Sequence, residues 1–469
     1  MQHPQHKVII VGGGIGGLSC AWRLRQALGD DAAITVLEAA ATPGGVTRSE
    51  YDSQHQTLME LGPDSMLSIK PAGLQLVRDL GLEEQLIGTR PSARRSCIAR
   101  GRRLIPVPEG VYLMAPGRML PFAASPLLSW PGKLRMGLDL LLPRRSPSHP
   151  GEESLAAFVR RRLGREALER LAQPLIGGIY TADPERLSLA ATMPQFMEME
   201  ASHRSLILAM RQRSRQQAAA ASGPRYGLFV TLRDGLGTLT RVLSERLADC
   251  LQCGMPVQRV TPNPTGGWQV HTGDGQCLTT EHVVLAVPAH VAASLLPAED
   301  VVTRLLAGVR YADIATVNLL FDADAIANHP EAAGFVVPAV DHQTMIACSF
   351  VHHKYDHRVP PGKCLLRAFC GGAMHPEDLA CSDAQLRSRV LGELNWRFGL
   401  RQDPEHVLIT RWPQAMAQYE VGHLRRRDLV RQGLQRRPGL HLVGNGLFGV
   451  GVPDVIAQAD SCAASIAGT

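Results

Sequence analysis

The feature that most constrains the fold is a cluster of glycines that follows a short apolar segment near the N-terminus. The β-branched run Val8–Val11 predicts a buried strand, and residues 18–24 have the periodicity of a helix. Between them, the spacing G-x-G-x-x-G is formed by Gly12, Gly14 and Gly17. Such glycines allow a tight turn, close approach of the backbone to a pyrophosphate and close packing of helix on strand. With a second predicted strand at 33–38, the segment is typical of the opening half of a dinucleotide-binding fold.

The residues after this loop indicate which nucleotide it binds. Glu38 ends the second strand about 20 residues after the last glycine, where a carboxylate accepts hydrogen bonds from a ribose 2′-OH and repels a 2′-phosphate. The pair Gly44-Gly45 and Arg48 follow closely and suit a ligand that continues past the first loop. Near the C-terminus, a glycine-rich turn precedes a predicted helix, whose N-terminus can face negative charge on a reduced flavin. Together these features predict FAD rather than NAD.

The length of the chain predicts more than one lobe, because its 469 residues exceed the roughly 300 at which a single core stops growing. The middle of the chain has helical periodicity, and strand-like segments return after a predicted linker at 216–223. We predict an α/β fold with α+β lobes: a discontinuous Rossmann-like domain that binds FAD, a helical inserted domain and a mixed-sheet substrate domain. The predicted boundaries are 1–85, 224–297 and 406–469 for the FAD-binding domain, 86–215 for the helical domain and 298–405 for the substrate domain.

The basic residues are concentrated in one segment. Residues 81–150 hold 11 Lys and Arg against 4 acidic residues, in a chain whose net charge is +6. This local excess suits an anionic ligand or membrane surface better than a nucleic acid, and a solvated basic surface is the alternative. The apolar stretch 119–142 with its basic rim predicts peripheral membrane contact or, alternatively, a wall of the substrate cavity. No segment suits a helix that spans the bilayer.

The cysteines and histidines predict no metal site. The 10 cysteines lack framework spacing and the polar N-terminus lacks a secretory segment, so we expect free thiols and a cytoplasmic location, at most against the inner membrane. Cys250 and Cys253 form a lone C-x-x-C without a second ligand pair. His352, His353 and His357 suggest a metal equally weakly, and an exposed polar loop is the favoured interpretation.

The motifs together resemble one known family. In chain order they are GGGIGG at 12–17, Glu38, the glycine pair at 44–45, ELGPDS at 60–65, DGLGTL at 234–239, Gln418-Tyr419 with Gly422-His423, and GN followed by GVGVPD at 444–454. This order resembles the oxygen-dependent protoporphyrinogen oxidases and the related coproporphyrinogen III oxidases. The first motif is shared with monoamine oxidases and phytoene desaturases, whereas GPDS and GVGVPD favour a porphyrinogen. Ala417 replaces the family's usual proline and the loop 100–103 is unusually basic, which leaves the substrate open.

The resemblance implies a reaction and a set of contacts. A porphyrinogen would lose six electrons in three rounds to non-covalently bound FAD, which O₂ reoxidises with release of H₂O₂, and no catalytic side chain would be required. A homodimer is one expected assembly. The implied FAD contacts are Gly12, Gly14, Gly16, Gly17, Glu38, Gly45, Arg48, Gly62, Pro63, Asp64, Ser65, Val257, Trp412, Val450, Gly451 and Val452. Arg95 is implied as the partner of a substrate propionate, with Arg94 and Arg100 as alternatives.

Several functions stay open at this point. Protoporphyrinogen IX is the first expectation, and coproporphyrinogen III, with four carboxylates, would suit the arginine excess. A flavin amine oxidase or carotenoid desaturase is more remote, and Cys462 lies past the C-terminal glycines, inside the predicted helix, where a covalent link to flavin is not expected. A non-catalytic scaffold that binds FAD is the remaining alternative, and it would hold flavin without reducing it.

Overall fold

The computed structural model of the chain describes residues 6–93, 95–145, 151–219, 228–326 and 329–468. The chain divides into two compact units: the first is formed by Met1–Gly88, Tyr226–Arg310 and Arg425–Thr469, the second by Thr89–Arg225 and Tyr311–Leu424. The chain therefore leaves the first unit twice and returns to it twice. The further separation of the second unit into a helical and a substrate lobe stays a prediction.

The strands of the described residues are short in the first unit and longest in the second. They are β1 (His6–Val11), β2 (Ala32–Glu38), β3 (Ser49–Asp52), β4 (Thr57–Glu60), β5 (Met66–Leu67), β6 (Leu86–Gly88), β7 (Ser96–Arg100), β8 (Arg103–Pro106), β9 (Val111–Tyr112), β10 (Ala115–Pro116), β11 (Phe229–Leu232), β12 (Leu251–Cys253), β13 (Val257–Pro262), β14 (Trp268–Thr272), β15 (Cys277–Thr280), β16 (His282–Leu285), β17 (Arg310–Asp322), β18 (Gly334–Val336), β19 (Met345–Phe350), β20 (Lys363–Gly371), β21 (His406–Gln418) and β22 (Leu440–Leu442).

The helices cluster between β10 and β11, the region predicted to be helical. They are α1 (Ile15–Leu28), α2 (Pro71–Asp79), α3 (Met119–Ala124), α4 (Trp130–Gly137), α5 (Leu155–Arg162), α6 (Arg165–Ala167), α7 (Gln173–Tyr180), α8 (Leu189–Thr192), α9 (Pro194–His203), α10 (Leu206–Ala219), α11 (Thr238–Arg246), α12 (Ala289–Leu295), α13 (Val301–Ala307), α14 (Val351–Lys354), α15 (Asp383–Phe398), α16 (His423–Gln435) and α17 (Val452–Ala467).

A five-stranded parallel sheet forms the centre of the first unit, in the order β12-β2-β1-β16-β22. Val11 at the end of β1 lies opposite Leu37 of β2 and Leu285 of β16. Parallel strands are buried on both faces, which explains the continuous apolar run of β1. Because the carboxyl ends of parallel strands meet at one edge, the loops after β1, β2, β16 and β22 lie together there.

Helices α1 and α17 pack on each other beside this sheet and share its hydrophobic core. Leu18 and Leu24 of α1 and Ile456 of α17 are buried in that core. The helix predicted at 18–24 is the middle of α1, which begins at Ile15, directly after the glycines. The first helix therefore starts at the edge where the loops of the parallel sheet meet.

A seven-stranded sheet dominates the second unit, in the order β21-β17-β20-β19-β18-β7-β8. The pair β18 and β7 is parallel, whereas β17 with β20 and β19 with β20 are antiparallel. Val317, Leu366 and Leu386 belong to its core, the last contributed by α15. A capping box starts α15, because the Ser382 hydroxyl accepts from the Gln385 N–H at 3.3 Å and the Gln385 side chain accepts from the Ser382 N–H at 3.0 Å.

A separate core joins the helices of the second unit, with Phe158, Leu171 and Phe196 fully buried in it. The start of the linker differs from the predicted position. The linker predicted at 216–223 begins inside α10, which continues to Ala219 because its polar and alanine residues are good helix formers. The end of the linker lies outside the described residues. No described helix combines the length and apolar character that crossing a bilayer requires.

Candidate functional site

The first glycine loop has a backbone that tolerates no side chain. Gly12 has a φ of +109°, and a Cβ at this residue would lie 2.5 Å from the Ala286 carbonyl oxygen. A Cβ on Gly17 would lie 1.9 Å from the Gly12 carbonyl oxygen. Gly14 is the N-cap of α1 and provides no side-chain cap. The first N–H groups of α1 are therefore available to an anion, as in phosphate-binding helix starts.

The second glycine pair lies directly against this loop. The Gly44 N–H donates to the Gly13 carbonyl at 2.8 Å, and Gly14 and Gly44 form an isolated parallel bridge. Gly45 has a φ of +57°, and a Cβ there would lie 3.3 Å from the Gly14 Cα. The two loops form one cradle of bare backbone, which fits the pyrophosphate of a dinucleotide.

Glu38 lies beside the same loop. One of its carboxylate oxygens accepts from the Gly13 N–H at 2.6 Å, and the other accepts from the Ala40 N–H at 2.8 Å. These bonds orient the carboxylate at the end of β2 and leave it lone pairs for further donors. The half-buried acid is thus fixed where the sequence predicted the contact with a ribose.

The next predicted residues lie where strand β4 ends. A Cβ on Gly62 would lie 1.7 Å from the Val46 carbonyl oxygen, and the Leu61 N–H donates to the Arg48 carbonyl at 2.9 Å. Arg48 also lines a cavity of about 410 Å³ in the first unit. Pro63, Asp64 and Ser65 follow as a half-buried loop, in which the Ser65 hydroxyl donates to Asp64 at 2.7 Å.

The C-terminal glycines form a turn that leads into α17. Val450, Gly451 and Val452 are half-buried, and the Gly451 N–H donates to Asp454 at 3.1 Å. The Lys70 Nζ lies 2.6 Å from both carboxylate oxygens of Asp454. The sequence reasoning missed Lys70, because a pair 384 residues apart gives no local signal. This pair joins the segment after β5 to the start of α17.

Three predicted residues belong to other elements of the chain. Val257 is the first residue of β13 in the first unit, whereas Trp412 lies on β21 in the second. Arg95 belongs to the second unit, its side chain is 66% exposed, and it pairs with Glu109 at 2.8 Å. Arg94 lies outside the described residues, and the exposed Arg100 donates to the Pro126 carbonyl. The role of Arg95 stays a prediction.

The second unit contains a small cavity of about 30 Å³ beside strained backbone. Thr181, which lines it, has a φ of +49° at the end of α7, an unusual value for a β-branched residue. Its carbonyl accepts from the Ala373 N–H at 2.8 Å, which helps to hold this conformation. Gln173, Gln343 and His375 supply polar groups to an otherwise mostly apolar lining. Backbone strain of this kind is frequent at ligand sites.

The structure corrects one expectation about histidines. His357 is exposed, but His352 and His353 are half-buried on the short helix α14, and His329 lies beside them. Burial lowers the pKa of His352 from 6.5 to about 3. No sequence signal marked His329, because only the fold brings its loop to α14. By contrast, burial raises the pKa of both thiols of the C-x-x-C pair, Cys250 and Cys253, which disfavours the thiolates that bind metals.

A parallel sheet with a glycine cradle, an acid after its second strand and a helix start at its edge defines a dinucleotide-dependent oxidoreductase. The family of flavin containing amine oxidoreductases matches residues 15–467. The chain is 32% identical to the coproporphyrinogen III oxidase of Bacillus subtilis (strain 168), with 98% of this chain and 97% of the relative covered. It is 30% identical to the chloroplastic protoporphyrinogen oxidase of Nicotiana tabacum, with 98% and 85% covered.

A solved structure agrees with these relatives. A protein of Exiguobacterium sp. 255-15, provisionally named a protoporphyrinogen oxidase, superposes with a TM-score of 0.87 at 29% identity, over 99% of both chains. The chain therefore belongs to the flavin containing amine oxidoreductases and, within them, to the porphyrinogen oxidase family. It is an FAD-dependent oxidoreductase, which confirms the predicted fold class, family and cofactor.

Proposed function

We propose that the chain oxidises protoporphyrinogen IX to protoporphyrin IX with O₂ as the final electron acceptor; the alternative proposal is oxidation of coproporphyrinogen III to coproporphyrin III. The observation that carries the proposal is the cradle of Gly14 and Gly45 beside Glu38, in a chain that aligns over its length with porphyrinogen oxidases. Bound FAD would supply the acceptor for a hydride from a carbon of the porphyrinogen. The residues of the chain then have to bind and orient the porphyrinogen and keep water out of the site.

We assign most of the FAD contacts to loops of the first unit. Gly12, Gly14, Gly16 and Gly17 at the start of α1 hold the pyrophosphate, and Glu38 accepts from the ribose hydroxyls. Gly45, Arg48 and residues Gly62–Ser65 continue the site, and Val257 serves the adenine side. Val450–Val452 place the start of α17 toward the flavin, where a helix N-terminus stabilises negative charge. The resemblance to the family adds Trp412 to the proposed flavin contacts.

We propose that the strained segment at Thr181 forms part of the substrate wall. A hydride transfer to flavin needs no dedicated side-chain base when pyrrole N–H groups lose the protons. The polar groups of Gln173, Gln343 and His375 then orient rather than catalyse. Arg95 is proposed to hold a propionate by exchanging its partner Glu109 for the substrate carboxylate.

The choice between the two porphyrinogens rests on charge. Coproporphyrinogen III has four carboxylates and protoporphyrinogen IX has two, so the first requires more cationic partners. The relatives named coproporphyrinogen III oxidase include that of Propionibacterium freudenreichii, at 34% identity. The chloroplastic relatives named protoporphyrinogen oxidase reach 32%. This similarity favours neither substrate. The motifs GPDS and GVGVPD favour a porphyrinogen over an amine or a carotenoid, and we retain protoporphyrinogen IX as the first expectation for the assay below.

We also propose peripheral contact with an anionic membrane through α3, α4 and the turn that follows. Leu120, Trp130, Leu134 and Leu141 are exposed there, with Trp130 at 67% and Leu134 at 72%. Lys133 lies over the Trp130 ring at 4.5 Å, so a cation borders the apolar residues. Co-sedimentation with anionic vesicles tests this proposal. The double variant Trp130→Ser, Leu134→Ser is expected to bind the vesicles less than the wild type does. Unchanged binding of the double variant would contradict the proposal.

The cytoplasmic location and a homodimer stay predictions.

Turnover of the FAD-loaded protein in air tests the proposed reaction. Protoporphyrinogen IX and coproporphyrinogen III are supplied side by side, and porphyrin fluorescence and peroxide are followed. A higher kcat/KM for protoporphyrinogen IX supports the proposal, and a higher value for coproporphyrinogen III replaces it with the alternative. Absence of porphyrin from both would overturn it and favour an amine oxidase, a carotenoid desaturase or a non-catalytic scaffold.

A further inference from the structure

Three histidines of the second unit meet at one end of its seven-stranded sheet. His352 and His353 lie on α14, directly after β19, and His329 lies in the loop before β18. One ring nitrogen from each lies within 4.8 Å of the others. The Nε2 of His353 is 3.2 Å from the Nδ1 of His329, and the ring centroids of His352 and His353 are 4.1 Å apart. The fold thus brings together ligands from two separate segments.

We propose that His329, His352 and His353 bind a zinc ion, with water as the fourth ligand. Neutral imidazole is a preferred zinc ligand, and tetrahedral sites with Zn–N bonds of about 2.1 Å place neighbouring nitrogens roughly 3.4 Å apart. The separation of 3.2 Å between His353 and His329 already matches one edge of such a site. The third nitrogen lies within 4.8 Å of the other two, and a change of side-chain torsion angle would shorten that distance.

The surroundings of His352 support this assignment. Its Nδ1 lies 3.1 Å from the Leu365 carbonyl oxygen, to which it can donate. That bond fixes the tautomer and leaves the lone pair of Nε2 for a metal, as the outer partners of metal-bound histidines usually do. The buried Cys364 Sγ lies 3.4 Å from both ring nitrogens of His352, and its weak S–H donor would give way to zinc at Nε2.

A cation close to the cluster is compensated by an acid. The Arg90 guanidinium donates to the His352 carbonyl at 3.1 Å, and its Nε donates to Asp356 at 2.7 Å. Because Asp356 neutralises this cation, its repulsion of a divalent ion is reduced. The three histidines are half-buried, so the cluster is partly open to solvent.

The proposed zinc would be structural rather than catalytic. In the pairing of β19 with β20, Phe350 lies opposite Leu366 next to the histidines, whereas Met345 lies opposite Cys370 next to the cavity at Thr181. Five residues of strand separate the two ends, which is roughly 16 Å. Zinc would join the loop of His329 to α14, and it would stabilise this end of the sheet without taking part in flavin chemistry.

The experiment uses the full-length FAD-loaded protein after treatment with a chelator. Zinc chloride is titrated into the wild type, His329→Gln, His353→Gln and the control His357→Gln, which changes an exposed neighbour outside the cluster. Zinc stoichiometry, melting temperature and the visible spectrum with Co²⁺ are measured. The wild type and the control should bind one zinc per chain with a dissociation constant of about 1 µM or tighter and should melt at a higher temperature with zinc. Both cluster variants should lose affinity at least about tenfold.

The outcomes separate this proposal from the proposed reaction. Flavin content and turnover should be equal in all four proteins, and Co²⁺ should give a tetrahedral spectrum in the wild type and the control alone. The absence of zinc binding in the wild type would overturn the proposal, whatever the turnover. Equal zinc binding by the cluster variants and the control would overturn it too. Melting temperatures without metal show whether each variant is folded.

Discussion

The backbone N–H of Gly13 donates a hydrogen bond of 2.6 Å to the carboxylate of Glu38. This bond connects the loop after β1 to the end of β2, so the acid and the glycine cradle form one rigid site. A ribose that binds to Glu38 is thereby placed at a fixed distance from a pyrophosphate on the loop.

Glu38→Gln is expected to weaken FAD binding by roughly tenfold to a hundredfold, because a charged acceptor of two ribose hydroxyls becomes neutral. The dissociation constant is measured from the quenching of flavin fluorescence. Glu84→Gln, which changes an exposed acid of the same unit, is the control and should leave the constant unchanged. Equal constants for both variants would remove Glu38 from the site.

Gly45→Ala is expected to abolish retention of FAD during purification. The residue combines a φ of +57° with a Cβ position 3.3 Å from the Gly14 Cα, so the methyl group would push the two loops apart. Gly81→Ala is the matched control, because Gly81 has a φ of +72° with nothing within 4 Å of its Cβ. The control should lose about 1 kcal/mol of stability and retain its flavin. Loss of flavin in both variants would mean that backbone strain, and not the close contact with Gly14, causes the loss.

Asp139→Ala is expected to lower the free energy of unfolding by about 3–5 kcal/mol. Asp139 and Arg162 are both 0% exposed, and Asp139 also accepts from the Ser205 hydroxyl at 2.6 Å. The substitution leaves the buried guanidinium without this partner. Glu185→Ala, which breaks the exposed pair with Arg160, should cost about 1 kcal/mol or less. Denaturant unfolding followed by tryptophan fluorescence compares the two variants. A similar loss of unfolding free energy in both would contradict the expected difference between the buried and the exposed pair.

Stability is expected to fall as pH decreases below about 6.5, in part because of His282. Burial lowers the pKa of His282, and the neighbouring His441 and His6 lower it further, while Glu281 opposes them. The unfolded chain therefore takes up a proton near the usual value of 6.5 before the folded chain does. The contribution of His282 to the stability of the folded state is present above pH 6.5 and is lost as pH falls toward the lowered pKa. His282→Gln should reduce the decline in melting temperature between pH 7 and 5, and an unchanged decline would exclude this residue as a cause.

Local signals predicted the elements around the proposed cofactor site. β-branched residues, glycine spacing and an acid at a strand end are short-range patterns, and they predicted β1, the middle of α1 and the position of Glu38 at the end of β2. Pairs that form only through the fold were not predictable: Lys70 with Asp454 lie 384 residues apart, and His329 lies in a loop without pattern. The exposure of the Arg95 side chain was not predictable either, because nothing in the sequence around it indicates that it pairs with Glu109.

The most direct test of the central claim is reduction of the bound flavin under anaerobic conditions. The FAD-loaded protein is mixed with protoporphyrinogen IX or coproporphyrinogen III without oxygen, and flavin absorbance is followed together with porphyrin fluorescence. We expect bleaching of the flavin with at least one of the two, faster with protoporphyrinogen IX, and return of the absorbance with peroxide when air is admitted. A flavin that stays oxidised with both porphyrinogens, in protein that retains its FAD, would contradict the account.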